Sequence, residues 1–198
     1  WVIGTGIFWV IFFGVYLYFV KHGAVSYIMD KLHINAMGRD YIWALVDKYY
    51  QLSPTFIGQG FEFVAGFAGR LVEEGLLDQA YPLHNDILKV FVELGFPGFC
   101  IWSITQYVVF PALLKKFFDA KTAVLYMSLL SLLTITYLTD NTAFYFWCMM
   151  GLRMIPLGYG IYRKRVFAPE DKKWQAPSKD DFQTLVNEKL LYQDKEKI

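Results

Sequence analysis

Apolar and polar positions in this chain fall into long blocks. Trp1 to Val20 (WVIGTGIFWVIFFGVYLYFV) carries no charged residue, and about twenty residues rising about 1.5 Å each match a hydrocarbon core of roughly 30 Å. The run predicts a membrane-spanning helix over 1–20. Residues 21–94 are mostly polar, too charged for lipid and too long for a simple connection, and predict a large loop. Gly95 to Leu114 is again uncharged and stops at Lys115-Lys116. Ala123–Thr139 and Ala143–Tyr162 repeat the pattern around the short polar turn Asp140-Asn141-Thr142. Three further helices are therefore expected within 95–162, with a polar tail over 163–198. The chain opens inside an apolar run without an initiator Met or a charged leader, so it is expected to be the C-terminal part of a longer polytopic protein.

Finer patterning predicts partly helical structure in the loop and tail. After Gly38-Arg39-Asp40, the residues Ile42, Leu45, Val46 and Tyr49 share one helical face, which predicts an amphipathic helix lying on the membrane with Arg39 in its first turn. Ser53-Pro54 ends it, with Pro54 suited to the first turn of a following element, and Gly58-Gln59-Gly60 predicts a tight turn. These glycines lack the remaining residues of a dinucleotide or Walker fingerprint. In the tail, Ser178 with Asp181 makes a capping pattern ahead of Phe182, Leu185, Val186 and Leu190. That stripe suits either a packing helix or a regulatory partner site.

Composition agrees with the block pattern. Of 198 residues, 56% are hydrophobic and 19% aromatic, above the roughly 45–50% apolar content of soluble domains. With 19 basic against 18 acidic residues and no basic block longer than Arg163-Lys164-Arg165, no field gathers nucleic acid, and none is expected as a partner. Cys100 and Cys148 both lie in apolar runs and read as small buried side chains. Charge also orients the chain, because basic residues in short loops stay cytoplasmic. Lys115, Lys116 and Lys121 form one such cluster and Arg163, Lys164 and Arg165 another. Both put the 21–94 loop outside and the C-terminus inside. The expected fold is thus an all-α integral membrane protein with about four transmembrane helices, one large, partly helical extracytoplasmic loop and a cytoplasmic tail.

Candidate chemistry concentrates where the loop meets the second span. His84 stands in Leu83-His84-Asn85-Asp86-Ile87-Leu88-Lys89, just before Glu93-Leu94-Gly95. A lone histidine beside Asn and Asp is more often a helix cap or a satisfied polar residue than a catalyst. Its position at the lipid–water boundary, with Arg39 and Arg70 in the same loop to meet an anion, favours chemistry. Asn85 suits either a cap or a sugar hydroxyl. Glu73, Glu74, Asp78 and Asp86 have no metal-ligand spacing, and no metal is expected. Arg153 falls near the middle of the fourth span, where a charge costs about 2.5–3.5 kcal/mol or more. It is expected to face the bundle, either pairing with an acidic group or carbonyl of a span outside this sequence or snorkelling past Pro156 toward the cytoplasm.

The order Gly38-Arg39…Trp43, Gly58-Gln59-Gly60 and His84-Asn85-Asp86-Ile87-Leu88-Lys89…Glu93-Leu94-Gly95, followed by spans with a short polar turn, resembles the O-antigen ligase and polysaccharide polymerase family over residues 30–160. That resemblance implies a glycosyltransferase of the bacterial cell membrane, acting in surface polysaccharide or exopolysaccharide biosynthesis. Its donor would be a polyprenyl-pyrophosphate-linked glycan and its acceptor a sugar hydroxyl, with no cofactor and with chain-length regulators or flippases as protein partners. His84 and Arg39 would be catalytic. Arg70 is a weaker carry-over as a substrate-binding residue, and Asn85, Asp86 and Arg153 are substrate-binding candidates from their own positions. A guanidinium forks onto phosphate oxygens and stays charged, so it can take the place of a divalent metal. The rival readings are a transporter or flippase component for a lipid-linked oligosaccharide and a non-catalytic scaffold.

Overall fold

The computed structural model describes residues 1–35, 38–80, 82–138, 143 and 145–167. The turn expected at 140–142 and the tail helix expected after Ser178 lie outside them. Among the described residues all regular structure is helical: α1 (Val2–Lys21), α2 (Ala24–Lys31), α3 (Arg39–Val46), α4 (Phe63–Glu73), α5 (Asp86–Ile104), α6 (Phe110–Phe117), α7 (Ala120–Tyr137) and α8 (Phe146–Phe167). The chain divides into two compact units, 1–160 and 161–198. Within the described part of the second, the Arg163 guanidinium stands 5.1 Å from the centre of the Phe167 ring.

Among the described residues three helices, against the four spans that the block pattern predicts, are long and apolar enough to cross a membrane: Val2–Lys21, Asp86–Phe117 and Ala120–Tyr137. α8 has 22 residues but is not among them, because Arg153, its glycines and the closing basic cluster dilute its apolar run. Its buried stripe is Leu152, Pro156 and Gly160. Gly160 meets Phe118 so closely that a Cβ would stand 2.7 Å from the ring.

The second long helix is α5 and α6 joined through a π-helical stretch at Thr105–Val109. Pro111 explains the stretch, since it offers no N–H to the Tyr107 carbonyl four residues earlier and its ring crowds that oxygen. The displaced Tyr107 carbonyl is covered by Gly6 of α1, where any side chain would overlap it. Around this crossing Phe13, Phe99, Trp102 and Tyr107 form an aromatic core, with the Phe13 and Tyr107 centroids 5.1 Å apart edge to face. Tyr107 also bonds Thr134 of α7 through their hydroxyls. These buried polar side chains satisfy one another where water does not reach.

Hydrogen bonds fix which helix ends lie together. Asn85 Nδ2 donates to the Tyr16 hydroxyl (2.9 Å), which donates to the Leu138 carbonyl (2.9 Å). The Ala143 amide donates to Asp86 Oδ2 (2.7 Å). The end of α1, the start of α5, the end of α7 and the approach to α8 therefore share one end of the bundle, together with the 21–85 loop. Lys115, Lys116, Phe118 and Thr122 share the other. This is the up-and-down arrangement that alternating blocks require.

Candidate functional site

The loop packs onto the first turns of α5 instead of extending away from them. α3 forms where the Ile42–Val46 pattern predicts, but its apolar face does not meet lipid. Ile42, Trp43 and Val46 are buried in the protein, and Trp43 Nε1 donates to the Leu83 carbonyl at 2.9 Å. A surface-lying role for α3 is therefore corrected by a simple fact: the 83–92 segment offers its apolar stripe a protein partner. At the far end of α3, Lys21 anchors the loop to α1. Its ammonium pairs with Asp47 (2.9 Å), donates to the Asp47 and Tyr50 carbonyls (2.7 and 3.1 Å) and lies 4.4 Å from the Tyr50 ring centre. The Tyr50 phenol is buried, which pushes its pKa upward; the Asp47 carboxylate pushes it the same way.

Gly58-Gln59-Gly60 docks on a break in α5. Pro97 has no N–H, so the Glu93 carbonyl loses its helical donor and accepts from Gly60 N (3.0 Å) instead. Gly95 adopts φ 68°, ψ −176°, which turns the Phe96 amide away from Val92 and onto the Phe56 carbonyl (2.7 Å), while Val92 accepts from Gln59 N (2.9 Å). Both glycines are needed for the approach. A Cβ on either would strike the other segment's backbone. The Glu93 carboxylate accepts from Val64 N (3.1 Å) and so caps the start of α4. No capping oxygen comes from α4's own N-cap residue, Glu62, which sits at φ 62°.

Each candidate residue takes a definite position in this assembly. His84 is half-buried and held at φ 48°, a left-handed conformation that costs a non-glycine residue about 1–3 kcal/mol. Arg39 is half-buried at the start of α3, one turn before Trp43 on the same face, so the Trp43–Leu83 bond brings the Arg39 helix against the His84 segment. Arg70 is exposed on α4, with its guanidinium 5.3 and 6.0 Å from the Phe63 and Phe67 ring centres. Asn85 is fully buried and caps α5, accepting from Leu88 N (2.9 Å) while donating to Tyr16. Asp86 is fully buried and holds Ala143. Arg153 is exposed, one residue off the buried stripe of α8 and so about 100° away from it. Its charge acts on the buried Tyr126 and Tyr137 of α7.

Arg39, His84 and the Gly58 turn are therefore gathered at one end of the bundle, whereas Asn85 and Asp86 have side chains engaged in holding that end together. Beside the turn opens a concavity of about 360 Å³ bounded by Lys48, Tyr49, Phe56 and Gln59. Lys21 and Tyr16 were not legible as parts of this assembly, and Glu93 was legible only as a member of the Glu93-Leu94-Gly95 motif, not as the cap of α4. Among the described residues no cluster of His, Cys, Asp and Glu could hold a metal ion. No protein-family model, curated protein or solved structure matches the chain.

Proposed function

We propose that the chain is the loop-bearing part of a membrane glycosyltransferase of the O-antigen ligase or polymerase type, working on a polyprenyl-pyrophosphate-linked glycan at the outer face of a bacterial cytoplasmic membrane. The observation that carries this reading is the Trp43–Leu83 hydrogen bond. With the Gly58–Gly95 contact, it draws the three separated motif segments into one assembly beside a helix apolar enough to cross a bilayer.

In this reading the His84 imidazole accepts the proton of an acceptor sugar hydroxyl as that oxygen attacks the anomeric carbon from the face opposite the leaving group. The bond from that carbon to the pyrophosphate oxygen breaks, with inversion, and the lipid pyrophosphate departs as an anion. Arg39 stabilises the departing charge through paired N–H donors, and Arg70 serves as a second cation for the same group. The left-handed backbone at His84 supports a functional role, since strained residues concentrate at active sites. Polymerisation is favoured over ligation, since no feature of the loop suggests a lipid A acceptor.

The transporter reading would draw on the π-helical stretch in the second long helix. Gly6 closes directly on the Tyr107 carbonyl there, so that stretch serves packing, and the enzyme reading is preferred. The test is His84→Ala in the full-length protein in its own membrane. Polymer growth is expected to stop while protein abundance in the membrane is retained. Chain lengths equal to wild type would refute the base assignment.

A further inference from the structure

We propose that the 51–61 turn is a membrane-surface anchor in which Ile57 and Phe61 insert into the lipid leaflet at the loop end of the bundle. The two side chains are 82% and 84% exposed, the most exposed large apolar residues in the described protein. They flank Gly58-Gln59-Gly60, and Gln51 through Phe61 contains no charged residue.

Depth follows from the docking. Gly58 is locked against Gly95, the first residue of the uncharged run that ends at Leu114. At about 1.5 Å per residue that run spans roughly 30 Å, the thickness of the hydrocarbon core, so Gly95 sits at its edge. Ile57 and Phe61 are carried at that same level. Trp147, 81% exposed in the first turn of α8, lies at this end too and belongs to the residue type that settles at the interface.

The turn also meets part of what a leaflet demands. Irregular backbone near lipid must satisfy its polar groups within the protein. Here the Gln59 and Gly60 amides donate to α5 carbonyls and the Phe56 carbonyl accepts from Phe96. Ile57 and Phe61 stand outward among uncharged side chains such as Thr55 and Gln59, with the nearest carboxylate along the chain at Glu62, just beyond Phe61. The inference depends on the long helices crossing a bilayer and not on glycosyl transfer, so it stands or falls separately from the proposed reaction.

The experiment uses the whole chain with Cys100 and Cys148 replaced by Ala, reconstituted in phosphatidylcholine–phosphatidylglycerol vesicles. A bimane label is placed at Ile57→Cys, at Phe61→Cys and, as a reference within α7, at Leu132→Cys. Neither loop side chain holds the fold, so both variants should remain native. Interfacial segments lie about 5–10 Å into the headgroup and acyl boundary. A lipid nitroxide near the headgroup should therefore remove most of the emission at 57 and 61, whereas one near the chain end should act chiefly on the Leu132 site. Quenching of the loop labels by aqueous iodide, without lipid quenching, would overturn the proposal. So would shielding that grows with the protein-to-lipid ratio, which would mark a second copy as the occupant.

Discussion

Replacing Gly95 by Ala tests whether the docked turn or the helix decides the break in α5. An alanine Cβ would overlap the backbone of Ile57 and Gly58, and φ 68° with ψ −176° lies in a region that essentially only glycine occupies. The variant therefore has reason to abandon this conformation. If Gly95 returns to helical angles, Phe96 N can bond Val92 again and one hydrogen bond is recovered. The Gln59 and Gly60 bonds are then lost, each contributing about 0.5–1.5 kcal/mol. The Phe56–Phe91 contact, with centroids 5.6 Å apart, is exposed as well, at about 0.5–1.5 kcal/mol. The regained Phe96 bond offsets the one lost to Phe56, so docking of the turn should weaken by about 1.5–4.5 kcal/mol on these figures. Amide hydrogen exchange in detergent micelles reads this directly. Gln59 and Gly60 should lose protection in Gly95→Ala, while α1 and α7 keep theirs. Gly69→Ala in α4, where a Cβ meets nothing within 4 Å, is the control and should be neutral or slightly stabilising. Unchanged protection at Gln59 and Gly60 in Gly95→Ala would refute the reasoning.

Gly6→Ala should separate α1 from the π-helical stretch and lower the thermal midpoint in detergent. Gly4→Ala, facing open space, should not, and equal midpoints for the two would contradict the packing assigned to Gly6. His84→Gly should relieve left-handed strain and stabilise the chain by about 1 kcal/mol while losing activity as fully as His84→Ala. A destabilised glycine variant would argue that the imidazole is structural. Tyr50 supplies a pH signature. Its folded pKa lies above its unfolded value near 10, so its contribution is complete below that pH and is lost as pH rises beyond it. The alkaline fall in stability should be smaller in Tyr50→Phe, and an identical pH profile would exclude Tyr50 as its source.

Block patterning determined the helical class and the three long apolar helices, because some twenty uncharged positions leave a chain little else to do near lipid. The same pattern counts α8 as a fourth span and begins the second at Gly95, whereas that helix begins at Asp86. It also located α3 and the Gly58 turn, since helical spacing and glycine pairs act locally. What it could not decide was where those local elements would rest. The face of α3 is equally suited to lipid or protein, and only the folded chain offers Leu83 to Trp43 and buries it. Asn85 could cap or bind until Tyr16, 69 residues away, took its amide. The role of Glu93 depended on an α4 terminus that nothing near it in sequence announces. The buried stripe of α8 is Leu152, Pro156 and Gly160, and Arg153 lies beside it, a placement set by packing such as that of Gly160 on Phe118. Residue types and spacing fix what each segment can do; proximity between distant segments, which sets desolvation and hydrogen-bond partners, exists only in the tertiary structure.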